Sequence, residues 1–356
     1  MTAPLVARMV IDAQSEFARA IAHVPPAGRG PRLGRLNTAA WAIAHTASIH
    51  DLWLNAFCRG RDRDPWLQAW GKAQQALPEG DALDTSFSEA LAAYERIAPE
   101  LAAYLDALSD ADLAPVIELF AGSEWEGRTV GYLVARASAH LFAHAGEMSV
   151  IASLVLTEDR DLGLPGRMKH SLGEGGEARD LADGPPIIVP LLFDARGEFR
   201  RVAAATPVPS QVGAFRRLSA GSWIVAHIAA QDDQLWNVGA LEGDADPWLA
   251  ALDVGYGSPP SEPDYAQALA ALDRSFERSL AFLEGLDETQ FERVFRKSST
   301  AARANQTVGD MVVRQTAHLV ALTGELAAIS SLAGAHDPGL PGALDHVAAL
   351  WQVSSD

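Results

Sequence analysis

Cysteine is nearly absent. Cys58 is the only one in 356 residues, so no intramolecular disulfide is available and a reducing, cytoplasmic setting is expected. Basic runs are missing too. With 28 Lys and Arg against 46 Asp and Glu the formal charge is −18, and without a cluster of cations to meet phosphates no nucleic-acid partner is expected. No segment reaches the roughly 18 consecutive apolar residues of a membrane span, and Arg8, Asp12 and Glu16 interrupt the amino-terminal stretch where a secretory leader would stay apolar. No membrane partner follows from this pattern. CxxC pairs, phosphate-cradling loops and recognisable Ser/His/Asp triads are also lacking. The remaining composition, 48% apolar and 21% charged, is that of a folded chain long enough for two domains of about 150 to 200 residues.

What the chain does contain is a duplication. "AAWAIAHTASIHDLWLN" and "GSWIVAHIAAQDDQLWN" place Trp41, His45, Asp51 and Asn55 against Trp223, His227, Asp233 and Asn237 at a constant offset of 182. The same offset aligns Asp64, Pro65, Trp66 and Leu67 with the later Asp-Pro-Trp-Leu, and Asp12, Glu16 and Phe17 with Asp194, Glu198 and Phe199. Further on the offset becomes 178, and "TVGYLVARASAHLFAHAGEMSVIASL" meets "TVGDMVVRQTAHLVALTGELAAISSL". The tails "GLPGRMKHSL" and "GLPGALDHVA" also correspond. Three parts follow: residues 1–172, a linker at 173–186 rich in Gly and charge, and residues 187–356.

Apolar spacing makes each part four helices, in the first about 3–23, 38–58, 86–108 and 129–156. The long connection between helices 2 and 3 implies a bundle with a crossover. The expectation is therefore an all-α protein of two tandem four-helix bundles, related by a pseudo-twofold axis and docked as an intramolecular pseudo-dimer in a monomeric chain. "PPIIVPLLFDARGEFRRV" alone suggests a β-hairpin, but its repeat partner has helical spacing, so both are taken as helix 1. Pro99 should kink or break the third helix. Asn37 or Thr38 should cap the first helix 2, and Ser219 the second.

His140 and His144 are one helical turn apart, with Glu147 continuing their face. A third nitrogen has to come from another helix, and His45 is the candidate. His50, about 140° further around helix 2, should point elsewhere, as should Cys58. Spacing alone leaves two readings open, three histidines satisfied by hydrogen bonds or three ligands of one ion such as Zn, Ni, Cu or Fe.

The Trp-x-x-x-His of helix 2 with the His-x-x-x-His-x-Gly-Glu of helix 4 resembles the DinB-like superfamily, named for damage-inducible proteins. That group includes the amino-terminal domain of mycothiol-dependent maleylpyruvate isomerase and related bacterial thiol S-transferases. The resemblance covers both halves. It implies four-helix bundles that bind a divalent metal, Zn, Ni or Fe among the choices, through His45, His140 and His144. It also implies a low-molecular-weight thiol such as mycothiol as cofactor, acting on a small electrophilic substrate in a transferase or isomerase reaction. The competing expectations are a non-catalytic metal-binding or stress-related binding protein and a metal-assisted hydrolase. Trp41, Arg136 and Glu147 are candidates for lining the substrate or supporting the ligands. For Glu147 the roles are ligand support or proton transfer, against packing. For Arg136 they are a carboxylate clamp, against an inter-helix salt bridge. In the second half His227 and His318 persist but Leu322 replaces the third histidine, so that site is expected to be degenerate, and the second half structural or substrate-shaping.

Overall fold

The computed structural model describes residues 3–350 apart from 31, 79, 121–124, 156–163, 166–167, 173–184, 212–217, 256–257, 259–260, 295–305 and 337. Its first half contains α1 (Leu5–His23), α2 (Ala39–His50), α3 (Phe87–Asp106) and α4 (Val130–Val155), and its second half α5 (Pro185–Ala205), α6 (Gly221–Asp232), α7 (Tyr265–Glu284) and α8 (Val308–Leu332). Apart from the single-residue bridges Val116 to Thr129 and Val294 to Thr307, no β structure occurs among the described residues. The chain is thus all-α, two tandem bundles with a crossover between helices 2 and 3 of each. The first crossover carries an eleven-residue helix, Pro65–Gln75. The second carries only the four residues Pro247–Ala250. No helix of the described residues is long and apolar enough to cross a membrane.

The repeated residues of helix 2 divide by role. Past His50 and Asp232 each second helix widens into π-helical turns, Asp51–Cys58 and Asp233–Ala240. Asp51 and Asp233 open these turns and are fully buried, so each carboxylate needs internal donors. Asn55 Nδ2 and the Asp64 amide donate to Asp51, each at 3.0 Å. Asn237 Nδ2 and the Asp246 amide donate to Asp233 at 3.1 and 2.8 Å. Asp64 and Asp246 in turn cap the crossover helices through the amides of Trp66 and Leu67, and of Trp248 and Leu249. The shared Asp, Asn and Asp-Pro-Trp are therefore one structural tie, written twice. Asp12 and Asp194 form a second such tie: they receive the amides of His170 and Ser171, and of His346 and Val347, in the matching tails.

The helical reading of residues 187–205 holds, with Ala195, Phe199 and Val202 buried along one face of α5. Thr38 caps α2 by accepting from the Trp41 amide. Two local expectations need correction. The residue before α6 is Ala220, which has no side chain to cap with, so Ser219 is not the cap. Gly221 instead packs close to the Ser210 carbonyl, too near for a Cβ without displacement. Nor does Pro99 break α3, which runs unbroken from Phe87 to Asp106 around it.

The halves meet along α4 and α8. A Cβ on Gly146 would overlap the Ala321 carbonyl, and one on Gly324 would overlap the Ala143 carbonyl. These two contacts exchange under the 178-residue offset, the signature of a pseudo-twofold axis between the helices. The tails cross this axis: Arg136 of α4 donates to the carbonyls of Pro341 and Gly342 at 3.0 and 2.8 Å, while His318 Nδ1 of α8 lies 2.9 Å from the Leu164 carbonyl. Of the expected linker, residues 173–184 lie outside the described residues, and 185–186 begin α5.

Candidate metal centre

Helix α2 packs beside α4, which brings His45 against the pair His140 and His144. Nε2 of His45 faces Nε2 of His140 at 3.2 Å, and one ring nitrogen from each of the three histidines lies within 4.8 Å of the others. His144 turns Nδ1 to Glu147 Oε2 at 2.7 Å, which places the ring proton there and leaves the lone pair on Nε2. That Nε2 is buried and has no protein partner. A buried nitrogen whose lone pair meets neither a hydrogen-bond donor nor a cation costs free energy, and a cation beside His45 and His140 would satisfy it. Burial, followed by the charge His144 can carry, holds His45 and His140 well below the usual histidine range. Both are therefore neutral, the form that can donate a lone pair to a metal. The donor set fits a divalent ion of the Zn, Ni or Fe kind.

The surroundings fix these rings. Trp41 stacks on His45 with centroids 4.6 Å apart and planes 7° from parallel, and its Nε1 donates to Gln74 Oε1 at 2.8 Å. Behind His140 stands His50, contrary to the expectation that it points away: His50 Nε2 is 3.3 Å from His140 Nδ1. An imidazole has nitrogens on two edges, so one ring of α4 wedged against α2 touches residues on two sides of that helix. Cys58 is half-buried and no part of the cluster, as expected.

His50 thus offers an acceptor for the Nδ1 proton of His140, holding it in the tautomer whose Nε2 is open. Outer partners of this kind typically contribute about 10- to 100-fold in metal affinity. His50→Phe should therefore weaken divalent-ion binding by about that factor with the fold retained, measured by competition with a chromophoric chelator; unchanged affinity would contradict the role.

Burial, with a smaller contribution from His144, also lowers His50 to about 3 from an ordinary value near 6.5. The unfolded chain then binds a proton there that the folded chain does not. This contribution to stability is complete above about pH 6.5 and lost as pH falls toward His50's folded value. Urea midpoints of the metal-free chain should fall between pH 7 and 4.5, less steeply in His50→Phe; parallel profiles would count against it.

A cavity of about 650 Å³ opens over the cluster, and Trp41, His45, His144 and Glu147 line it. Gly324, Ala327, Ala328 and Ser331 of α8 and Leu340 of the tail beyond it form another part of its wall. The cavity is therefore shared between the halves, which the spacing of residues within one half had no means of revealing. Arg136 is not among its lining residues. Its guanidinium lies against Trp53 and Trp125, 5.5 and 5.0 Å from the ring centroids, and holds the segment at Pro341 and Gly342; these partners are carbonyls and rings in place of the expected inter-helix salt bridge, of which there is none among the described residues.

The corresponding place in the second half is partnered differently. Trp223 stacks on His227 as Trp41 does on His45, and His227 Nε2 faces His318 Nε2 at 3.2 Å. Here, however, His227 Nδ1 is held by the Val254 carbonyl of the shorter crossover and His318 Nδ1 by Leu164. Gln231 Nε2 reaches His227 Nε2 at 2.9 Å, and the buried Leu322 takes the place of a third nitrogen. At the position of His50 stands Asp232, buried and ion-paired with Arg196.

The DinB superfamily model matches residues 12–148 and 221–321, one stretch in each half. The chain belongs to the DinB superfamily, in a tandem arrangement. No curated protein and no solved structure matches it.

Proposed function

We propose that this chain binds one divalent ion through His45, His140 and His144 and uses it, with a small thiol, to transfer a group to or isomerise a small electrophilic substrate. The observation that carries the metal assignment is the buried, unpartnered Nε2 of His144 beside two neutral imidazoles. Three protein ligands leave positions open for an exogenous ligand. A divalent ion bound there would supply Lewis acidity that favours the thiolate form of a thiol. Trp41 fixes the His45 ring, and Glu147 keeps the His144 proton on Nδ1. Glu147 also lines the cavity, where it is placed to take the proton of an incoming thiol. Burial pushes the Cys58 thiol up to about 12, so the protein's own sulfur stays protonated and the thiol has to come from solution.

The second half shapes the cavity and has no ion of its own. The close α4–α8 contact takes the place of a partner subunit, so the chain should run as a monomer in light scattering; an obligate dimer would count against it. The activity reading is tested on Co²⁺-loaded protein with mycothiol, bacillithiol and glutathione. A sulfur ligand adds charge-transfer absorption that oxygen ligands do not, and at least one of the three is expected to produce it. No spectral change with any of them at millimolar concentration would overturn the thiol reading in favour of a hydrolase or binding protein.

A further inference from the structure

The wall of the cavity carries a feature that the metal site does not use. Several arginines in this chain of net charge −18 are matched to carboxylates, as Arg61 is to Glu100, Arg96 to Asp64, Arg200 to Asp273 and Arg274 to Asp246, and others, such as Arg29 and Arg136, are spent on carbonyls and aromatic rings away from the cavity. Arg32 and Arg35 belong to neither group. Both line the cavity over the histidine triad, and neither has a carboxylate within ion-pair distance among the described residues. Arg32 spends Nε on the Leu36 carbonyl at 3.2 Å, and Arg35 spends Nη1 on the Gly334 carbonyl at 3.1 Å, across the junction of the halves. A guanidinium has five N–H donors in a planar fork matched to the oxygens of a carboxylate or phosphate, so most of each fork remains without an acceptor among the described residues.

The rest of the lining agrees. Its two carboxylates are Asp81 and Glu147, and an oxygen of Glu147 is taken by His144. The wall contributed by α8 is uncharged, and His336 beyond it lines the same space. With a divalent ion at the triad, the local charge is positive although the chain is strongly acidic. Local fields of this sign raise the concentration of anions at a cleft independently of net charge.

We propose that the cavity is an anion-binding site built jointly by the two halves. Arg32 and Arg35 seat a carboxylate or phosphate group of the small-molecule ligand while its other end lies over the histidine triad. The inference rests on the proposed metal site for which end of the ligand reacts, and on the two arginines for how the other end is held. It also gives the duplication a purpose at the site: a lone first half would lack both the α8 wall and the carbonyl of Gly334 that holds Arg35 at the rim.

The test is equilibrium dialysis of the zinc-loaded full chain against labelled succinate and, separately, labelled inorganic phosphate, in the wild type and in Arg32→Gln/Arg35→Gln. Neither arginine is one of the three histidines of the cluster, so zinc content should be unchanged and is measured alongside. At least one of the anions should bind the wild type in the millimolar range or tighter, and the double variant should bind it tenfold or more weakly; which anion binds decides between the two groups. Absence of binding of both anions to the wild type, or equal binding by the double variant, would overturn the proposal. A parallel titration of the Co²⁺ form with mercaptosuccinate separates the two readings. No sulfur charge-transfer band alongside arginine-dependent anion binding would sink the thiol reading alone. A band alongside arginine-independent anion binding would sink the anion site alone.

Discussion

Replacing His144 with alanine should give a folded chain that no longer retains a divalent ion. Two imidazoles seldom hold such an ion tightly, and the loss of a ligand should exceed the roughly 100-fold at most that an outer partner contributes. The chain already contains the comparison, since Leu322 stands at the matching place in the second half beside His227 and His318. Stability without metal should change by no more than about 1 kcal/mol, because His144 is only part-buried and alanine is the strongest helix former. The core of α4 is carried by Leu133, Leu141, Phe142 and Met148. Metal analysis after reconstitution and dialysis, with a urea titration of the same samples, reads both halves of the expectation. Full metal retention by His144→Ala, or its unfolding, would contradict the assignment.

The second large effect reverses an ordinary rule. Gly→Ala inside a helix normally stabilises by about 1 kcal/mol. At Gly324 the new Cβ would overlap the Ala143 carbonyl, and at Gly146 the Ala321 carbonyl. The obstacle is backbone in both cases, so α4 and α8 have to move apart and give up close packing along their length. Gly324→Ala and Gly146→Ala should therefore each destabilise by about 2–3 kcal/mol, with similar magnitude because of the pseudo-twofold relation. Gly324 also lines the cavity, so that variant should weaken anion binding as well. Neutral or stabilising effects in urea titrations would mean that the halves do not dock as described.

Much of this fold is legible in the sequence because it is written twice. The repeat partner of the hairpin-like residues around Asp194 marks them as helix, and the helix limits that apolar spacing predicts lie within a few residues of those observed. The ambiguity that the repeat could not remove lay in residues whose role depends on a neighbouring element. The angle around an isolated helix predicts His50 away from the cluster, yet the breadth of the His140 ring brings the two together. Ser219 looked like a cap, but the close approach of Ser210 at Gly221 and a start one residue later leave Ala220 there. Arg136 looked like a site residue by its spacing from His140, whereas its partners are carbonyls some 200 positions away in the chain. The cavity wall from α8 belongs to the same class: contacts between halves have no periodicity to betray them. Cys58, by contrast, lies outside the cluster as its angle around helix 2 predicts.

The most direct test of the account is the metal content of the reconstituted full-length chain, combined with anomalous diffraction at the absorption edge of the bound ion. One equivalent per chain is expected, with a single anomalous peak among His45, His140 and His144. Two equivalents, a peak beside His227 and His318, or no retained ion after reconstitution with zinc, nickel and iron would contradict it.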